Sequence, residues 1–405
     1  MKTAVGANWA YEQVRVLCSL GIEVVVALPS DTEGLAPKYR QAGATVLRAN
    51  LDFPARKPWR IPATLRACRQ LVADVRPDLI HTHHVGPTFI TRLALGKNSK
   101  IPRVFQVPGP LHLEHRFFAW LDIVLAGPSD SWLATCKWTR QKYLSLGINP
   151  DRVFLSYAGT DTKRFTNIRT GLLRNELGIS ANPRLVGMVA YMYAPKWFLG
   201  QRQGLKGHED FISALSLVRK SNPDIRGAII GGPWGNATRY EKHLRALGAK
   251  KCGTALTFLG TRRDIPAIYP DLDLAVVPSH SENCGGALEP LLSGVPVVAT
   301  NVGGLPDLIQ ESKTGWLVPP RNPKALAQAI LQALQNQDEA HRRALEGQKL
   351  ARSLFDVETT ARETSLIYEK AFATRPSSRV LLDTESGNRI SASVESEISA
   401  RARAR

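Results

Sequence analysis

The chain is poor in cysteine and has no long apolar run. Its five cysteines, Cys18, Cys68, Cys136, Cys252 and Cys284, are odd in number and widely spaced among 405 residues. No CxxC or Cys/His ligand spacing occurs, which argues for reduced thiols and against structural zinc. No stretch approaches eighteen consecutive apolar residues, so no membrane-spanning helix is expected. The opening MKTAVGANWAYEQ lacks the charged and apolar regions of a signal peptide. These absences together lead to the expectation of a cytoplasmic protein. Recognition-helix, RNP and zinc-finger patterns are also missing, so the net charge of +18 is not read as specific nucleic-acid binding.

What is present is a globular composition, 43% hydrophobic and 22% charged, in a chain long enough for two domains. Short β-branched runs alternate with helical stretches, the pattern of parallel α/β units. The first series of strands is expected at 23–28, 78–82, 103–107, 131–134 and 153–156, with helices such as 61–75 and 138–146 between them. A second series is expected at 185–190, 225–231, 256–259, 272–277, 295–299 and 315–318. The polar stretch 165–181 reads as the seam. The fold class is α/β, with two Rossmann-like doubly wound domains facing a central cleft. An N-terminal domain is expected over 1–168, with a first strand that is short or missing before Gly6. A second domain is expected over 169–355, a C-terminal helix over 356–374 returning to the first domain, and a disordered Ser/Arg/Glu-rich tail over 375–405. Ligands of such sheets bind beyond the carboxyl ends of the strands.

The richest segment runs LDLAVVPSHSENCGGALEPLLSGVPVVATNVGGLPDLIQ. A buried strand ends at Pro278, a polar loop carries Glu282, and Gly285 and Gly286 open a helix containing Glu289. Unpaired N–H groups at a helix start favour anions, and glycines there let a ligand approach the backbone. Glu282 is placed to accept hydrogen bonds from sugar hydroxyls and Glu289 from a ribose diol. Two capping or solvated glutamates would give the same pattern, so the motif alone leaves both readings open. Lys206, just before the helix of GLKGHEDFISALSLV, suits a pyrophosphate, which needs a cation and oriented amides.

Taken in order, these signals resemble the family 4 retaining glycosyltransferases of the GT-B fold, over roughly residues 6–372. They are GIEVVVALP, RPDLIHTH, GTDTKRF, KGHEDFISAL, FLGTRRDI, VVPSHSENCGGALEPLLSGVPVVATNVGGLPDLI and TGWLVPP. The resemblance implies donor-sugar contacts from Glu282, ribose contacts from Glu289, phosphate neutralisation by Lys206 and base contacts near Thr261 and Arg262. Gly6 resembles the end of the family's N-terminal glycine loop beside the phosphates. The reaction implied is transfer of a hexose-type sugar, with retention, from a nucleotide-sugar, UDP-linked by preference, to a carbohydrate or lipid-linked acceptor. Such a protein would serve polysaccharide or glycoconjugate biosynthesis, with no cofactor and no metal. Three departures stand out. Glu282 and Glu289 enclose six residues, one fewer than the family pattern, which leaves Ser281 as the alternative first position. The family's arginine ahead of the lysine is absent where expected, at Tyr191, and Arg202 or Lys196 is placed to supply the second cation. The first strand is short. These departures keep an inactive nucleotide-sugar-binding homologue open beside the enzyme, and a GT-B-fold epimerase is a further alternative.

His112, in VPGPLHLEH, matches a histidine that members of the family carry near the reacting centre; a capping histidine is the plainer reading. His81 and His83 alternate on a strand and could share a face, but no carboxylate or cysteine accompanies them as a metal set would require. Residues 1–170 hold 23 Lys/Arg against 12 Asp/Glu. Within them Arg56, Lys57, Trp59, Arg60, Arg66 and Arg69 lie close together, and Phe117, Phe118 and Trp120 follow the His112 loop. Cations beside interfacial aromatics suit an anionic membrane surface, so peripheral contact at the inner face of the membrane is expected.

Overall fold

The structure is a computed structural model and describes residues 8–180, 183–196 and 200–373. In the first half the strands are β1 (Val25–Leu28), β2 (Thr45–Arg48), β3 (Ile80–His83), β4 (Arg103–Val107), β5 (Asp130–Ala134) and β6 (Val153–Leu155). In the second half they are β7 (Leu185–Val189), β8 (Arg226–Ile230), β9 (Leu256–Gly260), β10 (Leu274–Val277), β11 (Val297–Thr300) and β12 (Trp316–Val318). Every pairing between them is parallel. β1 pairs with β2, the next four run β3-β4-β5-β6, and the second half forms one sheet in the order β12-β11-β10-β7-β8-β9.

Helices cover the faces of these sheets, which is why β10 and β11 are buried at every residue and read as continuous apolar runs. Helices Pro323–Gln335 and His208–Ser221 contribute Leu326, Ile330, Phe211 and Leu215 to one core on the second sheet. On the opposite face Leu288, Leu291, Leu305 and Phe355 close the other. The last described helix, Val357–Ala373, leaves the second half and packs on the first. Val357 and Ala361 meet Val16, while Ile367 and Ala371 meet Val104 and Leu133. Gln13 Nε2 donates to Thr364 Oγ1 at 2.8 Å, a polar tie within that seam.

Most strands lie within one or two residues of their expected places. β2 was not expected. Its side chains are mostly outside the core, with only Val46 buried, so it presents no apolar run. The polar seam contains a short helix, Leu172–Glu176. A distant carboxylate holds its start: Asp271 accepts from the backbone N–H of Gly171 at 2.7 Å and of Leu173 at 2.8 Å. Residues 1–7, with Gly6, and the expected tail lie outside the described residues.

The first-half core encloses an ion network. Arg92, with 1% of its side chain exposed, binds Asp122 and reaches Asp130 at 2.9 Å, while Arg103 meets the other oxygen of Asp130 at 2.6 Å. Buried charges depend on their partners, and removing one leaves the rest uncompensated. Arg92→Met should therefore cost about 3–5 kcal/mol of stability, read from the denaturant midpoint. A loss under about 1 kcal/mol, the range of an exposed pair, would show that the network is solvated.

Candidate functional site

β10 lies in the middle of its sheet, between β11 and β7, so the loops leaving β10 and β7 meet over the centre of the carboxyl edge. Their approach is close. Gly207 has φ +71°, and a Cβ there would lie 1.9 Å from the Pro278 carbonyl oxygen, so only glycine fits. The loops are also joined by hydrogen bonds. His280 N–H donates to the Leu205 carbonyl at 2.8 Å, and His280 Nε2 lies 2.7 Å from Asp210 Oδ2.

This stitching brings Lys206 Nζ to Glu282 Oε2, at 2.5 Å. Ser279 Oγ donates to the same oxygen at 3.0 Å, and the Asn283 N–H donates to Oε1 at 3.2 Å. The Glu282 backbone is held as well. Its carbonyl accepts from Gly304 N–H at 3.1 Å, and Gly303, with φ +51°, would place a Cβ 1.9 Å from that oxygen. Glu282 keeps 9% exposure. Ser281 instead lines a cavity of about 480 Å³ between the two halves of the chain. The carboxylate beside Lys206 is thus that of Glu282.

Helix Gly285–Leu292 begins at the end of this loop, with Gly285 exposed and Gly286 half-buried. Glu289 lies one turn in, half-buried, and its carboxylate makes no hydrogen bond or ion pair among the described residues. Burial pushes its carboxyl above the usual range, with Arg164 pulling it down less strongly. A carboxylate held uncompensated at a helix start is poised to accept from hydroxyl donors.

The other expected residues fall around this centre. Arg202 is exposed and lines the same cavity, with Gln201, Gln203, Leu205 and Arg321. Thr261 is exposed on the loop after β9. The Arg262 guanidinium is already engaged, at 2.7 Å from both Glu176 and Asp264. His112 is buried, with Nε2 at 3.1 Å from the Tyr143 hydroxyl and 3.4 Å from Asp122. Leu111 and Glu114, beside His112, line the 480 Å³ cavity from the first half. His81 and His83 do share a face, with ring centroids 4.4 Å apart, packed against Tyr368 and Trp9. Among the described residues no group of three or more His, Cys, Asp or Glu is placed to hold a metal.

Some site features escaped the sequence reading. Tyr191 and Tyr193, after β7, pack against Trp234, after β8, with ring centroids at 5.1 and 5.6 Å, and Lys206 Nζ lies 6.0 Å from the Tyr193 ring. Trp234 in its glycine turn was the available signal. Polar contacts also cross the cleft. Asn283 Nδ2 donates to Thr135 Oγ1 at 2.9 Å, and Asp307 accepts from the Lys137 N–H at 2.7 Å and from Tyr157 at 3.0 Å.

Comparison with known proteins agrees with this architecture. A model described as glycosyltransferase family 4 matches residues 6–164, and one described as glycosyl transferases group 1 matches residues 197–350. The chain belongs to the family 4 glycosyltransferases. It is 34% identical to the D-inositol 3-phosphate glycosyltransferase of Corynebacterium glutamicum over 236 residues, 56% of this chain and 53% of that protein. With the enzyme of the same name from Acidothermus cellulolyticus it is 28% identical over 362 residues, 80% of this chain and 77% of that protein. The chain thus spans about half the length of the first of these relatives. Among solved structures, Anabaena HepE in complex with UDP superposes with TM-score 0.75 at 20% identity, covering 91% of this chain and 97% of that one. Sucrose-phosphate synthase from Thermosynechococcus elongatus gives 0.74 at 19%, covering 91% and 94%. These likenesses establish the GT-B fold.

The uncompensated Glu289 has a measurable consequence. A carboxyl whose folded pKa is raised contributes stability below its unfolded pKa and loses it as pH rises through the folded value. Glu289→Gln should therefore raise the melting temperature at pH 7.5 and leave it unchanged near pH 4. Equal shifts at both pH values would mean that the gain does not come from the charge.

Proposed function

We propose that this protein transfers a hexose-type sugar, with retention of configuration, from a UDP-linked donor to a carbohydrate or lipid-linked acceptor, without a metal. The observation that carries the proposal is the Lys206–Glu282 pair at the meeting of two strand-end loops, with Glu289 left unpaired one turn into the adjoining helix. In this reading Glu282 accepts from donor-sugar hydroxyls and Glu289 from the ribose diol. Lys206 turns partly from Glu282 to the pyrophosphate. The bond between the anomeric carbon and the pyrophosphate oxygen breaks, and its electron pair goes to that oxygen. The acceptor hydroxyl adds to the same face, and its proton passes to the leaving phosphate. Charge grows on the leaving group as this happens, so the ammonium and the N–H groups at Gly285 stabilise the transition state more than the ground state. Arg202 reaches the phosphates from the cavity wall as the second cation, and Thr261 contacts the base. Because Arg262 is tied to Glu176 and Asp264, it orders that loop as well as meeting the base.

Losing one such contact typically removes about 3–4 kcal/mol of transition-state stabilisation, or two to three decades of rate. Lys206→Ala should cut turnover with UDP-sugars by that factor, and EDTA should leave the wild type unaffected. Near-normal turnover in the variant, or loss of activity on chelation, would overturn the mechanism. Glu282→Ala should reduce turnover by orders of magnitude while UDP still binds, and Ser281→Ala should do much less. The reverse ranking would mean that Ser281 is the sugar-binding position.

Peripheral membrane contact belongs to the same proposal. No helix among the described residues is long and apolar enough to cross a membrane. Trp59, Phe117 and Trp120 are 71%, 54% and 56% exposed. Arg56, Lys57, Arg60 and Arg66 are exposed around Trp59, and Arg116 adjoins Phe117. Such surfaces suit an enzyme that draws lipid-linked acceptors from an anionic bilayer. Sedimentation with anionic vesicles at low salt should bring the protein down, and neutral vesicles should not. Indifference to lipid charge would rule out the surface.

A further inference from the structure

The cavity of about 480 Å³ between the two halves of the chain has a size suited to a small ligand. It adjoins the Lys206–Glu282 pair without containing it, since Leu205 and Ser281, the residues just before each, are on its wall. Helix Leu111–Glu114 closes it from the first half with Glu114, and Gln201, Arg202 and Arg321 face it from the second. Arg202 and Arg321 are both exposed there, and neither guanidinium makes a hydrogen bond or ion pair among the described residues. Among those residues Glu114 is the carboxylate on the wall. Partial burial pushes its carboxyl up, while Ser281, Arg321 and His112 pull it down, so it lies near Arg321 across the cleft. Two guanidiniums against one carboxylate leave the cavity positively charged.

Arg321 is held at the cavity by an unusual backbone. It follows β12 by three residues and has φ +57°, a left-handed conformation that glycine adopts readily and a long side chain does not. The turn is fixed on both sides. Pro319 and Pro320 precede Arg321, and Asn322 caps helix Pro323–Gln335 by accepting from the Ala325 N–H at 3.0 Å. Of the four non-glycine residues with positive φ among the described residues, Arg321 is the one that lines the cavity. Glycine would make this turn with less strain, so the guanidinium is what the arginine contributes. Strand order also sets it apart from the donor phosphates. Lys206 follows β7 and Glu282 follows β10, whereas β12 lies two strands beyond β10, on the side away from β7.

We infer that Arg321 makes this cavity a subsite for an anionic substituent on a saccharide, a phosphate monoester or a carboxylate, separate from the donor pyrophosphate. A guanidinium meets either group with two parallel hydrogen bonds, which a neutral hydroxyl cannot match. Arg202 adds charge from the β7 side, and the amides of Gln201 and Gln203 offer donors and acceptors to ring hydroxyls. Without a ligand, Glu114 partly offsets Arg321, and the anion takes over that role. That a saccharide carries the anion rests on the glycosyl-transfer reading; that an anion binds at Arg321 does not. The carrier is either the acceptor or the sugar of the donor, because the cavity borders Glu282 and also reaches the first half of the chain.

Binding measurements, with no turnover required, test this. In one arm the full chain is saturated with UDP, and glucose 6-phosphate and glucuronate are titrated against glucose by calorimetry. In the other, without added UDP, UDP-glucuronate is titrated against UDP-glucose. Wild type should bind an anionic sugar at least about tenfold more tightly than its neutral counterpart in one arm, the scale of a hydrogen bond to a charged group. The arm that shows the preference identifies the carrier as acceptor or donor sugar. Arg321→Gly suits the left-handed backbone, so it should fold normally and abolish the preference. Arg321→Lys keeps the charge without the planar fork and should fall between. UDP alone should bind Arg321→Gly as it binds wild type. The inference is overturned if neither arm shows a preference or if the preference survives Arg321→Gly. It is overturned equally if that variant loses UDP affinity by the same factor, which would put Arg321 on the pyrophosphate. An Arg321-dependent preference in a protein that transfers no sugar would count against the proposed function alone.

Discussion

The site depends on how closely two loops can approach at the carboxyl edge of the second sheet. β7 and β10 are neighbours, so their loops leave the sheet side by side. What turns neighbours into a site is the absence of a side chain at Gly207, which lets the backbone ahead of helix His208–Ser221 lie against the Pro278 carbonyl. Lys206 is carried with it onto Glu282. Gly303 performs the same service from β11, allowing its backbone to meet the Glu282 carbonyl. The pair is therefore set by backbone contacts on either side, and two long flexible side chains need not find one another unaided.

Around that pair, the protein leaves some polar groups satisfied and others open. Arg262, Asp307 and Asp122 are engaged, Arg262 with Glu176 and Asp264, Asp307 with the helix start at Lys137, and Asp122 with Arg92, Trp132 and Tyr143. Among the described residues the Glu289 carboxylate is held half-buried with no hydrogen bond or ion pair, and His112 Nδ1 makes no hydrogen bond. Uncompensated polar groups lower stability, and they persist where a ligand completes them. Two engaged clusters hold the open groups in place. One is the Arg92–Asp122–Tyr143 core under His112, and the other is the Asp210–His280 contact under the Lys206 loop. The cleft is thus assembled from rigid supports with a few acceptors exposed on top.

Much of this was legible in the residues themselves. Strands buried on both faces, such as β10 and β11, announce themselves as apolar runs, and the glycine-marked helix starts placed Lys206, Glu282 and Glu289 on one edge. β2 was invisible because only Val46 points inward. The direct Lys206–Glu282 contact could not be read, since it depends on strand order β10-β7 and those strands lie far apart in the chain. Nor did anything near Asp122 mark it as special. Its role appears only when Arg92, His112 and Tyr143 converge from three other helices. Arg262 was expected to face a nucleotide base, and only the fold shows that Glu176, from the seam, already holds it.

The most direct test of the account is a crystal structure of the protein with UDP bound. The account predicts the β-phosphate within hydrogen-bonding distance of Lys206 Nζ and the N–H groups at Gly285, with the ribose hydroxyls on the Glu289 carboxylate. UDP bound elsewhere, or at this edge with Glu289 untouched, would contradict it.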